Sequence, residues 1–135
     1  MSNLLECRDL SKSFGSTRAL NSISFTINRG RIVGLLGPNA SGKSTFIKIC
    51  NDLLTPTGGE IRIDGFEPGI ETKKIVSHLP EKSYLNDWMR VSDIIAFFQD
   101  FYSDFSKDKA YDMFTALGLN AKDRLKTMSK GTKEK

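Results

Sequence analysis

The spacing of apolar residues predicts two strands and a helix in the first part of the chain. Ile23, Phe25 and Ile27 alternate with polar residues, which is the period-two pattern of a half-buried strand. The nearly uninterrupted apolar run IVGLL predicts a fully buried strand over residues 31–36. Apolar positions at helical spacing then predict a helix over residues 44–54.

Two shorter strands are predicted before Pro80. Ile61 and Ile63 alternate with polar residues ahead of a turn at Asp64-Gly65. The segment KKIVSHLP predicts another strand, which Pro80 ends. These patterns indicate that residues 1–80 form a mixed β/α part.

The apolar spacing becomes helical after Pro80. Apolar stripes predict one helix over residues 91–102 and a second over residues 110–117. Ser106 is placed to cap the start of the second helix, and Gly118 is placed to end it. We therefore expect a small helical subdomain over residues 81–135.

The segment GPNASGKST, residues 37–45, matches the spacing Gly-x4-Gly-Lys-Ser of a phosphate loop between a predicted strand and a predicted helix. Glycines let backbone N–H groups converge on a phosphate, and the helix N-terminus adds partial positive charge. Lys43 is expected to reach the β- and γ-phosphates, and the Ser44 hydroxyl to bind Mg²⁺. The motif predicts a nucleoside triphosphate site, but it is shared by kinases, GTPases, motors and transporter ATPases.

Composition adds little to this prediction of fold and function. The 135 residues are 39% hydrophobic and 27% charged, as in an ordinary globular domain, and the start lacks a secretory pattern, which favours the cytoplasm. Cys7 and Cys50 either form a disulfide or, as we favour, stay reduced and buried.

The net charge of +4 is concentrated in the basic residues over 122–135. We interpret these as a solvated face and expect no nucleic acid partner, because no aromatic residues are interleaved for base stacking.

The segment LSKSFGSTRALNSISFTINRGRIVGLLGPNASGKSTFIKICNDLLTPTGGEIRIDG resembles the opening of an ABC-transporter ATP-binding subunit. The similarity runs from about residue 5 to residue 131, nearly the whole chain. It implies an α/β fold: a P-loop NTPase core with an N-terminal antiparallel β part and a small helical subdomain, incomplete because the later core strands are absent. It also implies that ATP and Mg²⁺ are the ligands.

Three positions acquire a role from this resemblance. Phe14 of KSFG holds the place of an aromatic residue that stacks on adenine. Ala40 stands where the family usually has glycine, and alanine suits that geometry unless φ is positive there. Glu81 stands where the family usually has a glutamine that reaches Mg²⁺ and the attacking water. The alternative for Glu81 is a solvated loop residue.

In the segment MSKGTKEK, which begins at residue 128, residues 128–132 occupy the place of the family's signature. In the family its serine and glycine contact the γ-phosphate held by the opposite subunit. Lys43 and Glu81 are the implied catalytic residues, and Ser44 and Glu81 the implied Mg²⁺ ligands. The residues implied in nucleotide binding are Phe14, Gly37, Pro38, Asn39, Ala40, Ser41, Gly42, Lys43, Ser44, Thr45, Ser129 and Gly131.

The resemblance also implies partners. A transmembrane permease subunit would dock near Glu81 to Val91, and a second ATP-binding subunit would complete a head-to-tail dimer. Trp88 lies in this docking region, where it either contacts the permease or anchors its own loop. His78 is interpreted as a packed or solvated side chain. The implied location is cytoplasmic, peripheral to the inner face of the cell membrane.

The family's catalytic aspartate and glutamate follow the signature, and no apolar run in these 135 residues ends in Asp-Glu. We therefore expect the N-terminal portion of an ABC-type ATPase that powers transport, inactive by itself. Lys130, where the family signature has glycine, favours the export branch. The alternatives are a non-transport ABC-type ATPase acting on ribosomes or nucleic acid, and a nucleotide-binding module that does not hydrolyse ATP.

Overall fold

The structure, a computed structural model, describes residues 3–80 and 85–133. The chain divides into two compact units, Met1–Leu79 and Pro80–Lys135. Within the described ranges, no helix combines the length and apolarity that crossing a bilayer requires.

The first unit is built on an antiparallel sheet with strand order β2-β1-β3. Strands β1 (Asn3–Phe14) and β2 (Thr17–Asn28) form a hairpin, and β3 (Gly58–Ile63) pairs with the other edge of β1. The predicted strands at β2 and β3 are confirmed, as is the Asp64-Gly65 turn, in which both residues have positive φ. Strand β1 was not predicted, because irregularities between Cys7 and Leu10 interrupt its alternation.

Helix α1 (Lys43–Cys50) lies against this sheet and closes the core of the first unit. Its Phe46 and Ile49 are buried, and the Phe46 ring packs 5.4 Å from that of Phe25. The helix was predicted to continue to residue 54 but ends at Cys50, because the backbone turns at Asp52, which has a φ of 57°. The sheet residues buried in this core are Cys7, Leu10, Leu20 and Ile61.

Both cysteines belong to this core and are free thiols, as expected. Burial raises the pKa of Cys7 to about 11 and that of Cys50 to about 12, and the neighbouring Cys7 adds to the shift at Cys50. Both side chains are therefore neutral at physiological pH and act as small apolar groups in the core.

Two predicted strands are absent from the described residues. The segments 31–36 and 75–79 lie outside any strand, and Ile32, Leu36 and Leu79 are almost fully exposed. A buried parallel strand needs hydrogen-bonding neighbours on its sides, and the described strands pair only within the β2-β1-β3 sheet. Just before residues 75–79 the chain forms the short helix α2 (Ile70–Lys73).

The second unit is helical, as predicted. Helices α3 (Val91–Phe101) and α4 (Lys107–Ala116) are followed by a short 3-10 helix (Leu125–Thr127) and by α5 (Lys130–Lys133). A small core joins Met89, Ile94 and Leu125.

The predicted ends of α4 are confirmed. The Ser106 hydroxyl accepts the Lys109 N–H at 3.4 Å and caps the helix start. Gly118 has a φ of 73° and donates its N–H to Thr115, while Leu119 donates to Phe114. This pair of bonds is a Schellman motif, which explains why glycine ends the helix here.

Candidate functional site

The phosphate-loop segment forms a tight turn that leads directly into α1. The Ser41 N–H donates to the carbonyl oxygen of Pro38 at 3.3 Å, and Gly42 precedes the helix with a φ of 90°. The first intrahelical bond runs from the Phe46 N–H to the Gly42 carbonyl at 2.9 Å. Within the part of the chain that the structure describes, no side chain caps the start of α1, so the N–H groups of its first turn have no capping acceptor there. Such a helix start attracts an anion.

Lys43 folds its ammonium group back over the turn. Its Nζ donates to the carbonyl oxygens of Gly37 at 2.7 Å and Pro38 at 2.6 Å, and to the Ser41 hydroxyl at 3.0 Å. The Lys43 side chain therefore reaches from the start of α1 back to Gly37, the first residue of the loop. The Lys43 ammonium, the one charged side-chain group of residues 37–45, therefore lies against the backbone carbonyl groups of the turn.

Ala40 adopts a conformation that favours glycine. Its φ is 64°, in the left-handed region, where a Cβ is unfavourable by about 1–2 kcal/mol. Because φ is positive at this position, alanine is a poor replacement for glycine here. The departure from the usual glycine has a physical cost at the tip of the loop.

The phosphate-loop segment packs against the β1–β2 hairpin. A Cβ added at Gly42 would lie 2.4 Å from the Ala19 carbonyl oxygen, so the backbones touch here. Two residues before Ala19, Thr17 pairs with Phe14 across the hairpin. Phe14, at the end of β1, is 47% exposed. The hairpin thus joins the aromatic side chain and the loop within one compact unit.

The remaining predicted site residues are distributed as follows. Asn39 and Ser44 are exposed, and Thr45 is half-buried in the first turn of α1. Glu81 lies outside the described residues. Ser129 and Gly131 belong to the second unit, where the Ser129 hydroxyl accepts the Thr132 N–H at 3.2 Å and caps α5. The phosphate loop and Phe14 belong to the first unit.

Two other aromatic or titratable residues of the sequence analysis are also placed. Trp88 is exposed in the segment before α3, and His78 is half-buried after α2. Within residues 3–80 and 85–133, no three histidine, cysteine or carboxylate side chains group as a metal site would require.

Lys12 is the residue that sequence reasoning missed. Its Nζ lies 5.1 Å from the centroid of the Phe14 ring and donates to the Thr55 carbonyl oxygen at 2.8 Å. The sequence offered one signal for this contact, the spacing of Lys12 from Phe14, because residues two apart on a strand share a face.

The antiparallel sheet, the glycine loop that opens α1 and the following helical unit together define the first part of an ABC-type ATP-binding fold. A family profile described as "ABC transporter" matches residues 20–135. The chain belongs to this family. A solved ATP-binding subunit of an ABC transporter superposes with a TM-score of 0.82 at 27% identity, covering 97% of this chain and 58% of the other.

Two curated relatives carry transport names of opposite direction. The SkfA peptide export ATP-binding protein SkfE of Bacillus subtilis is 36% identical over 84% of this chain and 48% of its own length. The xylose/arabinose import ATP-binding protein XylG of Sulfolobus acidocaldarius is 44% identical over 59% of this chain and 29% of its own. The chain thus spans less than half the length of these two relatives.

Proposed function

We propose that the first unit binds ATP with Mg²⁺ and that the chain is the nucleotide-binding part of an ABC-type ATPase that powers membrane transport. The observation that carries this proposal is the position of Lys43, whose Nζ lies within 3.0 Å of three oxygens of the turn at the uncapped start of α1. Terminal phosphate oxygens are stronger acceptors for an ammonium than carbonyl oxygens. A bound triphosphate would therefore take these hydrogen bonds from the loop.

Each remaining site residue has a role in this proposal. The backbone N–H groups over residues 39–45 surround the β-phosphate, and the Ser44 hydroxyl contributes one ligand to Mg²⁺. The exposed Phe14 ring stacks on adenine. Glu81 supplies a carboxylate to Mg²⁺ and the attacking water, and Ser129 and Gly131 contact the γ-phosphate of a second subunit.

Hydrolysis requires more than this cradle. An attacking water must be oriented and the developing charge neutralised, which the family achieves with a carboxylate pair after the signature. These 135 residues contain no apolar run that ends in such a pair. We therefore expect this polypeptide to bind nucleotide with negligible turnover, and phosphate release from the purified chain tests that expectation.

The transport role is supported by the family, and export is the direction we propose. Lys130 in the signature-like segment supports it, as does the similarity to an export protein, although an import protein is similar too. The exposed Trp88 supports permease docking near Glu81 to Val91. The proposed location is the cytoplasmic face of the cell membrane.

Binding of a fluorescent ATP analogue to wild-type and Lys43→Ala protein tests the nucleotide site. We expect Lys43→Ala to abolish binding, because it removes the cation aimed at the terminal phosphates. Lys48→Ala is the matched control, since Lys48 is an exposed lysine on the same helix. Equal affinities of wild type and Lys43→Ala would refute the site.

Phe14→Ala tests the base site separately. We expect weaker binding of ATP and GTP and unchanged competition by pyrophosphate, because pyrophosphate has no ring to stack. A parallel loss of pyrophosphate affinity would indicate damage to the fold instead.

A further inference from the structure

One hydrogen bond and one ring contact fix the ammonium of Lys12 beside the Phe14 ring. Lys12 and Phe14 are alternate residues of β1 and share one face of the strand. The Nζ of Lys12 lies 5.1 Å from the ring centroid, within the range of a cation–π contact. It also donates to the Thr55 carbonyl oxygen at 2.8 Å, in the segment between α1 and β3.

The segment that holds Lys12 is itself bound to β1. The Thr57 N–H donates to the Ser11 carbonyl oxygen at 2.8 Å, and the Thr57 hydroxyl accepts the Ser13 N–H at 3.0 Å. These bonds lie on both sides of Lys12 along the strand. The Thr55 carbonyl is therefore a fixed anchor, and the half-buried Lys12 side chain loses the freedom that a surface lysine normally keeps.

An ammonium on one face of an aromatic ring has three consequences. It restricts the rotation of the ring, and it leaves the opposite face as the one on which a flat ligand can stack. It also draws π-electron density toward itself, which favours stacking with an electron-rich ring. Phe14 as a residue is 47% exposed beside the lysine, so its side chain is accessible to such a ligand.

We infer that Lys12 is a positioning residue for the nucleotide base: anchored to Thr55, its ammonium holds the Phe14 ring from one side so that the base stacks on the other. This inference rests on the proposed function. It assigns to Lys12 the orientation of the ring, while Phe14 makes the contact and Lys43 binds the phosphates.

The test measures the affinity of the chain for ATP and for inorganic tripolyphosphate by calorimetry. We expect Lys12→Met to weaken ATP binding about 2- to 5-fold and to leave tripolyphosphate binding unchanged, because only ATP carries a base. Lys12→Arg keeps the cation and is expected to restore most of the affinity for ATP. Lys107→Met is the matched control, since the Lys107 ammonium lies 5.9 Å from the Tyr111 ring in the other unit.

A double-mutant cycle with Phe14→Ala separates this inference from the proposed function. In the Phe14→Ala background, Lys12→Met is expected to have no further effect on ATP affinity. An equal loss of ATP and tripolyphosphate affinity, or the same loss with and without the Phe14 ring, would overturn the role of Lys12. Unchanged ATP affinity in Lys12→Met alone would also overturn it. Unchanged ATP affinity in Phe14→Ala would instead refute the base site itself.

Discussion

The backbone of Gly42 lies directly against the side chain of Leu20. A Cβ built on Gly42 would come within 2.7 Å of Leu20 Cδ2 and 2.4 Å of the Ala19 carbonyl oxygen. Real Cβ atoms do not approach other atoms this closely, and a φ of 90° at Gly42 disfavours any side chain as well. The start of α1 can therefore sit on the hairpin only because residue 42 has no side chain.

Gly42→Ala is expected to destabilise the first unit by roughly 1–3 kcal/mol and to abolish ATP binding. The added methyl group must push α1 away from β2, which moves the first-turn N–H groups and the Lys43 ammonium together. Urea unfolding gives the change in the free energy of unfolding, and titration with an ATP analogue gives the affinity.

Two other glycines serve as controls for this substitution. Gly30 has a φ of 71° but open space around its Cβ position, so Gly30→Ala carries the backbone cost without the collision. Gly34 has open space and no positive φ, so Gly34→Ala is expected to be neutral. If Gly30→Ala destabilised the chain as much as Gly42→Ala, the packing against Leu20 would not be the cause.

Ala40→Gly is expected to stabilise the chain by about 1 kcal/mol, because it relieves the positive φ of 64° at the tip of the loop. We also expect tighter ATP binding, since the loop would reach its conformation without strain. The comparison is Ala110→Gly within α4, which is expected to destabilise by about 0.5–1 kcal/mol. A loss of stability in both variants would contradict the strain at Ala40.

Local signals in the sequence were sufficient for the elements whose partners lie nearby. The alternation at β2, the turn at Asp64-Gly65 and the caps of α4 depend on residues within a few positions of one another. Residues 37–45 were predicted as a phosphate loop from their spacing and from the predicted strand and helix on either side, and the structure places a tight turn and a helix start there.

The strand predicted over 31–36 shows why the rest was not predictable. Its apolar composition predicts a buried strand. Whether it is buried depends on neighbouring strands, and these are set by distant parts of a fold. The contact between Lys12 and Thr55 could not be predicted either, because it depends on the path of the chain between α1 and β3. The positive φ at Ala40 also depends on the geometry of the whole loop.

The buried thiols predict a loss of stability at alkaline pH. Burial raises the pKa of Cys7 to about 11 and that of Cys50 to about 12 in the folded chain, against about 8.5 when unfolded. Between these values the unfolded chain has released protons that the folded chain still holds, so rising pH favours unfolding. This contribution is fully present below about pH 8.5 and is lost as the pH rises toward 11–12.

Cys50→Ala is therefore expected to give a shallower decline in the free energy of unfolding between about pH 8.5 and 10.5 than wild type. The cavity left by the substitution lowers stability by an amount that does not depend on pH. Leu54→Ala is the matched control, because Leu54 packs against the same core and does not titrate. Parallel pH profiles for Cys50→Ala and wild type would show that this thiol is not the cause.

The exposed apolar segment over 31–36 predicts self-association of the purified chain. Ile32 is almost fully exposed, and the segment lies outside the β2-β1-β3 sheet, so its backbone N–H and C=O groups are open to pairing with another copy. We expect the sedimentation coefficient to rise with protein concentration and Ile32→Lys to suppress that rise, because a charge opposes edge pairing. Ile70→Lys is the matched control, since Ile70 is 78% exposed at the start of α2 and outside the segment. A wild-type chain that stays monomeric at every concentration, or equal suppression by both variants, would contradict the assignment of association to this segment.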